Sequence, residues 1–410
     1  MRARAASVTG RLLLFAGGFA IGAWILTSYG GNDFAHYWLS SRLLLDGRVP
    51  YGVPLGRPGR AAGLTLDLGV RYATSTPAFL VLFEPLAALP PRTAYLLWAL
   101  VQLASLAAVL VLSLRLVEDR VPRWGLRLLA GLTVVGFSVW DHFFFSQTQL
   151  LLMALVLAAL HLSTRGRHGA AVLLVTAAGL LKLYPLALLP WFVGRAWRER
   201  AGWGALLPSG LLAGAVLVPT ASLWGPFVEA GLPHVAAFVD GPLVNVSLTG
   251  VIAGLLREAL DVRLATSGLR VLWLLVGSGV LAAAYAAVRA RTVGPERQAA
   301  ALMCALVLAV PVAWTHYLVW TIPAFFLLAA DVGGEPGPAG LAGLAGAYVL
   351  TAGGLVEAAC RIGGVSGWSA LAAGALATLA VGALGIRISR PPRRSLPLTA
   401  RPPRTDAPGA

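Results

Sequence analysis

Arg92-Thr-Ala-Tyr-Leu-Leu-Trp-Ala-Leu-Val-Gln-Leu-Ala-Ser-Leu-Ala-Ala-Val-Leu-Val-Leu-Ser-Leu-Arg115 holds no charged residue between its two arginines. Coiled as an α-helix, such a run is long enough to cross a hydrocarbon core of ~30 Å, which takes about 20 residues. Comparable apolar runs recur at roughly 11–29, 126–142, 147–163, 168–181, 184–196, 203–220, 267–289, 297–313, 317–331, 338–357 and 367–386. Hydrophobic residues fill 58% of the 410 positions and charged residues 12%, too little polar surface for a soluble chain of this length. Inside lipid every backbone amide needs an internal partner. Without the alternation of a barrel, helices are what remains. The sequence therefore predicts an all-α polytopic membrane helical bundle of about twelve spans. Residues 1–386 form the transmembrane domain and 387–410 a disordered basic tail.

The formal net charge of +15 is spread as topology-setting charge, in short loops and in the tail, which argues against nucleic acid. Segment 77–90 decides the orientation. Read as an interfacial or re-entrant helix, it leaves 21 of the 31 arginines on the cytoplasmic side: at 2–11, 115–127, 165–167, 195–200, 289–297 and in the tail. Both termini are then cytoplasmic, and the first run, lacking a small-residue cleavage site, is a retained span in the cell membrane. Two long loops, 30–91 and 221–266, fall on the extracytoplasmic face. Their aromatic stretches, Phe34-Ala-His-Tyr-Trp38 and Trp224-Gly-Pro-Phe227, read as interfacial helices lying along the bilayer. The short pair 168–181 and 184–196 reads either as spans that extend further or as a broken pair lining a cavity. Cys304 and Cys360 are too few for a disulfide framework.

A few polar residues stand at that extracytoplasmic boundary. Asp33, ahead of an aromatic helix with His36, suits either a helix cap or a partly desolvated general base. Lys182 is the only lysine in the chain. A compact ammonium at a helix boundary suits a phosphate oxygen, though a lysine there also snorkels. His316, in Ala313-Trp-Thr-His-Tyr317, reads as a cavity histidine or as part of an aromatic belt. Gln147 and Gln149 hydrogen-bond a sugar or finish a helix end. Asn245 contacts substrate or caps its loop. Asp46, Asp67, Asp141 and Asp240 are weaker candidates that read as solvated loop residues. No nucleotide fingerprint, metal-ligand spacing or cofactor motif appears, so no cofactor or metal is expected.

The order of these motifs is similar to glycosyltransferase family 87 of the GT-C superfamily. The resemblance is carried by Asp33 with its aromatic helix, Leu43-Leu-Leu-Asp-Gly-Arg-Val-Pro-Tyr51, Thr76-Pro-Ala-Phe79, Glu84-Pro-Leu-Ala-Ala-Leu-Pro90, Ser146-Gln-Thr-Gln149, Leu181-Lys-Leu-Tyr-Pro185 and Trp314-Thr-His-Tyr317, from Asp33 to about Pro323. The chain departs at Ser75-Thr-Pro77, where the family commonly has Tyr-Pro-Pro, and at Ser146-Gln-Thr-Gln149, where it has Gly-Gln-x-Asn. The resemblance implies a polyprenyl-phosphate sugar donor, with mannose as the sugar, and a lipid or glycan acceptor. It implies Asp33 as catalytic base, His316 as its partner or an acceptor-orienting group, and Lys182 at the donor phosphate. Tyr184, His36, Gln147, Gln149 and Asn245 complete the expected substrate contacts. An arabinosyl or other hexosyl transferase is the alternative within the class. A lipid-linked-sugar transporter should show internal repeats and midplane charges, and the sequence has neither.

Overall fold

The computed structural model describes residues 2–28, 32–64, 72–237, 239, 245–332, 338–364 and 367–390. Among them every regular element is helical. Among the described residues, five helices are long and apolar enough to cross a membrane: Arg4–Thr27, Pro91–Arg115, Thr266–Arg289, Thr315–Val332 and Gly367–Ile388. Two bent pairs, Arg123–Val135 with Phe137–Phe145 (42°) and Trp203–Leu217 with Ala221–Val235 (75°), bring the number to seven. The other expected spans form as helices but are shorter. Gln149–Thr164 has 16 residues, His168–Leu181 14, Leu189–Arg198 10, Pro295–Ala309 15 and Pro338–Leu350 13. The tail beyond Arg390, together with Asp67 and Asp240, lies outside the described residues.

Specific residues make these breaks. Gly136 ends one half of the first bent pair and starts the other, with extended backbone, and Phe137 N–H then donates to Gly353 O at 2.7 Å. Ser146 adopts the left-handed conformation (φ 57°, ψ 48°) and ends Phe137–Phe145. Glycine takes that conformation without strain, which accounts physically for the glycine usual at this motif position. His168–Leu181 stops where Lys182 turns extended (φ −145°, ψ 134°), and Pro185 opens the next short turn, Tyr184–Leu188. That turn folds back so closely that a Cβ on Gly179 would sit 2.2 Å from Leu186 Cδ2. The pair 168–181 and 184–196 is thus broken at Lys182, and the break lines a cavity.

The long helices pack as pairs, Arg2–Thr27 along Arg123–Val135 and Pro91–Arg115 along Gln149–Thr164. Gly10 and Gly131 make the first pairing possible, since a Cβ on either would lie 2.7 Å from the partner's backbone. Asn32–Leu45 does not lie exposed along a surface as the sequence suggested. Phe34 to Ser41 are all buried, because Pro77–Ala87 covers the helix. Ser41 Oγ donates to Leu80 O (2.8 Å) and Trp38 Nε1 to Leu89 O (3.1 Å). Pro77–Ala87, 11 residues or about 16 Å long, is too short to cross. Its first turn is capped by Thr76, whose hydroxyl oxygen accepts from Phe79 N (3.2 Å) while donating to Leu180 O (3.0 Å). One side chain therefore ties the start of this helix to the break before Lys182.

At the other end of Thr315–Val332 from His316, Asp331 is 2% exposed and pairs with Arg297. Arg387 (3.6 Å) and Arg120 (3.9 Å) complete the group. Three arginines, Arg297 in the first turn of Pro295–Ala309, Arg387 in the last turn of Gly367–Ile388 and Arg120 in the connection after Pro91–Arg115, thus gather at the end of the bundle away from His316.

Candidate active site

The loops and breaks enclose a cavity of about 430 Å³. Asp33, His36 and Tyr37 line it from Asn32–Leu45, Gln147 from the Ser146 turn, Lys182 and Tyr184 from the broken pair, and His316 and Tyr317 from the turn Thr315–Thr321. Over them close residues 74–76 and the stretch Phe227 to Val235. Tyr51 O–H donates to Ser75 O (2.9 Å), and Tyr72 stacks on His234 with centroids 4.0 Å apart. Phe227, expected to lie in an interfacial helix, is buried and faces this cavity instead.

Gln147 organises the polar wall. Its Nε2 donates to Asp33 Oδ2, and its Oε1 accepts from Lys182 Nζ (3.0 Å) and from Tyr37 O–H (3.3 Å). Its own backbone is fixed, with N–H on His142 O (3.0 Å) and carbonyl oxygen accepting from Gln102 Nε2 (3.3 Å). Trp98 Nε1 donates to the neighbouring Ser146 carbonyl (3.1 Å). The amide is thus held rigidly between an acid and an amine.

Asp33 and Lys182 lie outside the helices long enough to cross. Burial raises the Asp33 carboxyl to about 7, opposed by the Lys182 charge and reinforced by Asp141. Burial lowers the Lys182 ammonium to about 8, opposed by Asp33. Lys182 Nζ also stands 5.7 Å from the Tyr317 ring centroid. An acid and an amine poised near neutrality can exchange protons with a substrate, which ordinary surface groups do less readily.

Two expected contacts are placed elsewhere. Gln149 lies behind the wall, where its Oε1 accepts from Tyr184 O–H and from Trp320 Nε1 (3.0 Å) and so anchors Tyr184. Asn245 uses its side chain to tie its own loop to the segment before His316: Oδ1 accepts from Ser247 N and Ala313 N (3.0 Å each), and Nδ2 reaches Val239 O and Pro311 O (3.4 Å each). Ser247 then caps Leu248–Leu260. Of its two readings, loop capping is the one the geometry carries. Asp46 is an exposed loop acid paired with Arg42 (3.4 Å). Asp141 is not solvated. It is 1% exposed, and its Oδ2 accepts from His316 N (3.2 Å) and lies 3.0 Å from His316 Nδ1. Its place inside the apolar run 126–142 was the sequence signal for this, since an acid there needs a buried partner.

A second, apolar groove of about 270 Å³ adjoins the cavity, sharing Leu183, Tyr184, Trp273, Val310 and Pro311 with it. It continues along Leu274, Gly277 and Leu281 of Thr266–Arg289, a helix whose Val271, Leu274 and Leu275 are exposed.

Fold and cavity together define a helical membrane protein with titratable side chains set at the head of an apolar groove. Residues 74–313, more than half of the chain, match the family model of glycosyltransferase family 87, and the chain belongs to that family of glycosyltransferases. No curated protein matches the chain. Gln147, Lys182 and Tyr184 fall inside the matched stretch, whereas Asp33, His36 and His316 fall outside it. The fold brings both sets to one cavity.

Proposed function

We propose that this glycosyltransferase moves mannose from a polyprenyl-phosphate donor to a lipid or glycan acceptor, with inversion, on the extracytoplasmic face of the cell membrane. The observation that carries the reading is the Asp33–Gln147–Lys182 bridge at the head of an apolar groove. A lipid-linked sugar needs both environments at once, a polar chamber for its head and a dry slot for its tail. Exposed Val271, Leu274 and Leu275 beside the groove suit entry from lipid.

In the transfer, an acceptor hydroxyl attacks the anomeric carbon from the side opposite the phosphate. Asp33 takes the hydroxyl proton as the new C–O bond forms. The bond from the anomeric carbon to the phosphate oxygen breaks, and its electron pair leaves with the polyprenyl phosphate. The departing phosphate gains negative charge in the transition state, and the Lys182 ammonium meets it. A β-linked mannosyl donor then gives an α-linked product. Arg120, Arg297 and Arg387 gather at the end away from His316, which supports a cytoplasmic side there by the positive-inside rule.

The test is transfer by purified protein from radiolabelled polyprenyl-phosphate mannose to a panel of lipid and glycan acceptors, with Asp33→Asn, Lys182→Ala and His316→Ala alongside. Wild-type transfer with Asp33→Asn nearly inactive is the expected result. Full activity in Asp33→Asn would remove the base assignment. No transfer from any polyprenyl-phosphate sugar, together with transport of lipid-linked sugar in vesicles, would replace the enzyme with a transporter.

A further inference from the structure

One buried acid takes no part in the steps above. Asp141 sits in Phe137–Phe145, 175 residues from His316, yet the same oxygen accepts from the backbone N–H (3.2 Å) and lies within hydrogen-bond distance of the ring Nδ1 (3.0 Å) of that histidine. Burying a carboxylate is costly, and a well-packed apolar pair is often as stable as a buried ionic one. Stability alone is a weak reason for an acid at this position.

The geometry around the pair is fixed from every side. Phe137 N–H holds Gly353 O, and Ser138 Oγ donates to Ala352 O, so the short helix carrying Asp141 is pinned at its start. The His316 ring is boxed by Phe145 (5.7 Å), Trp314 (5.8 Å) and Tyr317 (5.2 Å). The backbone bond sets where the histidine begins, and the ring bond sets how it is turned. The Oδ2 that already accepts the backbone N–H also faces Nδ1, and as an acceptor there it assigns the proton on that side to Nδ1. Nε2 lies across the ring from Asp141, and His316 lines the cavity.

We propose that Asp141 is a positioning residue, holding His316 as the Nδ1–H form and turning its Nε2 toward an oxygen of the substrate in the cavity. The assignment rests on sugar transfer taking place there. The arrangement follows the general logic of an acid that fixes a histidine's tautomer without touching substrate itself, where acid-to-amide exchange costs up to ~10⁴ in rate.

The experiment compares wild type, Asp141→Asn, His316→Ala and the double variant, purified in nanodiscs with polyprenyl-phosphate mannose as donor. Asp141→Asn is expected to lower kcat at least about 100-fold and leave the donor KM within about twofold. The double variant is expected to be no slower than His316→Ala alone, because both changes remove one unit. Wild-type kcat in Asp141→Asn, or losses that multiply in the double variant, would overturn the proposal. A second measurement uses folded wild type, with 15N spectra of histidine-labelled protein and the His316 signal identified by its loss in His316→Gln. A proton on Nδ1 is expected, and a neutral ring protonated at Nε2 would overturn the assignment. Wild-type protein that moves no sugar would instead sink the transfer reading, and the tautomer would still decide the Asp141–His316 geometry.

Discussion

Lys182 is bonded to Gln147 and not to Asp33: its Nζ lies 3.0 Å from Gln147 Oε1, while Nε2 of the same amide donates to the acid. The intervening amide keeps base and cation in one cavity without letting them close into a direct ion pair. Such a pair would leave the acid weakly basic and the amine already occupied. Gln147→Ala should let them collapse together, lowering kcat about 10- to 100-fold with little change in melting temperature. Gln147→Glu should be worse at neutral pH, since a second carboxylate beside Asp33 raises its pKa further. Steady-state rates of the two variants check both expectations.

The rate should trace a narrow bell against pH. Asp33 acts ionised and its carboxyl is raised to about 7, so activity should rise through about pH 7. Lys182 acts charged and its ammonium is lowered to about 8, so activity should fall above about pH 8. The Lys182 charge lowers the Asp33 value, and its removal therefore raises that value. The acidic limb of the residual activity in Lys182→Met should move to higher pH, and an unmoved limb would show that the two groups do not interact.

Gly179→Ala should damage both stability and activity. The new Cβ would meet Leu186 Cδ2 at 2.2 Å and Cγ at 2.4 Å, forcing apart the turn that carries Lys182. Overpacking of this kind costs ~1–3 kcal/mol. Paired Gly179→Ala and Leu186→Ala changes should recover part of the loss, as measured by thermal melting and transfer rate.

Asp331→Asn should destabilise without touching the chemistry. It removes the acid that Arg297, itself 7% exposed at the side chain, relies on inside the protein. Breaking a buried pair costs ~3–5 kcal/mol; Arg120 and Arg387 are much more exposed, so solvent screens their share. A lower melting temperature with unchanged kcat per folded molecule is the expected result.

Several readings were legible from residues alone because they depend on local composition. An unpaired charge is excluded from lipid wherever it falls, so the apolar runs and the arginine loops mark the bundle and its spans. Lys182 stood out as the single lysine among 31 arginines. The span count was less legible. The apolar run 126–142 continues through Gly136, and hydropathy does not register a backbone that bends while staying buried. The buried state of Phe34–Ser41 was also hidden, since aromatic residues suit an interface and a protein interior equally.

What the sequence determined by itself is an all-helical membrane chain with Asp33, Lys182 and His316 as its outstanding polar residues. What only the tertiary structure decided is which side chains meet: Gln147 between Asp33 and Lys182, Asp141 behind His316, and Asn245 joining its loop to Ala313. The reason is distance along the chain. Gln147 is 114 residues from Asp33, and Asp141 is 175 from His316. Helix periodicity constrains neighbours three or four positions apart. Such remote meetings depend on how whole helices pack and where each one breaks.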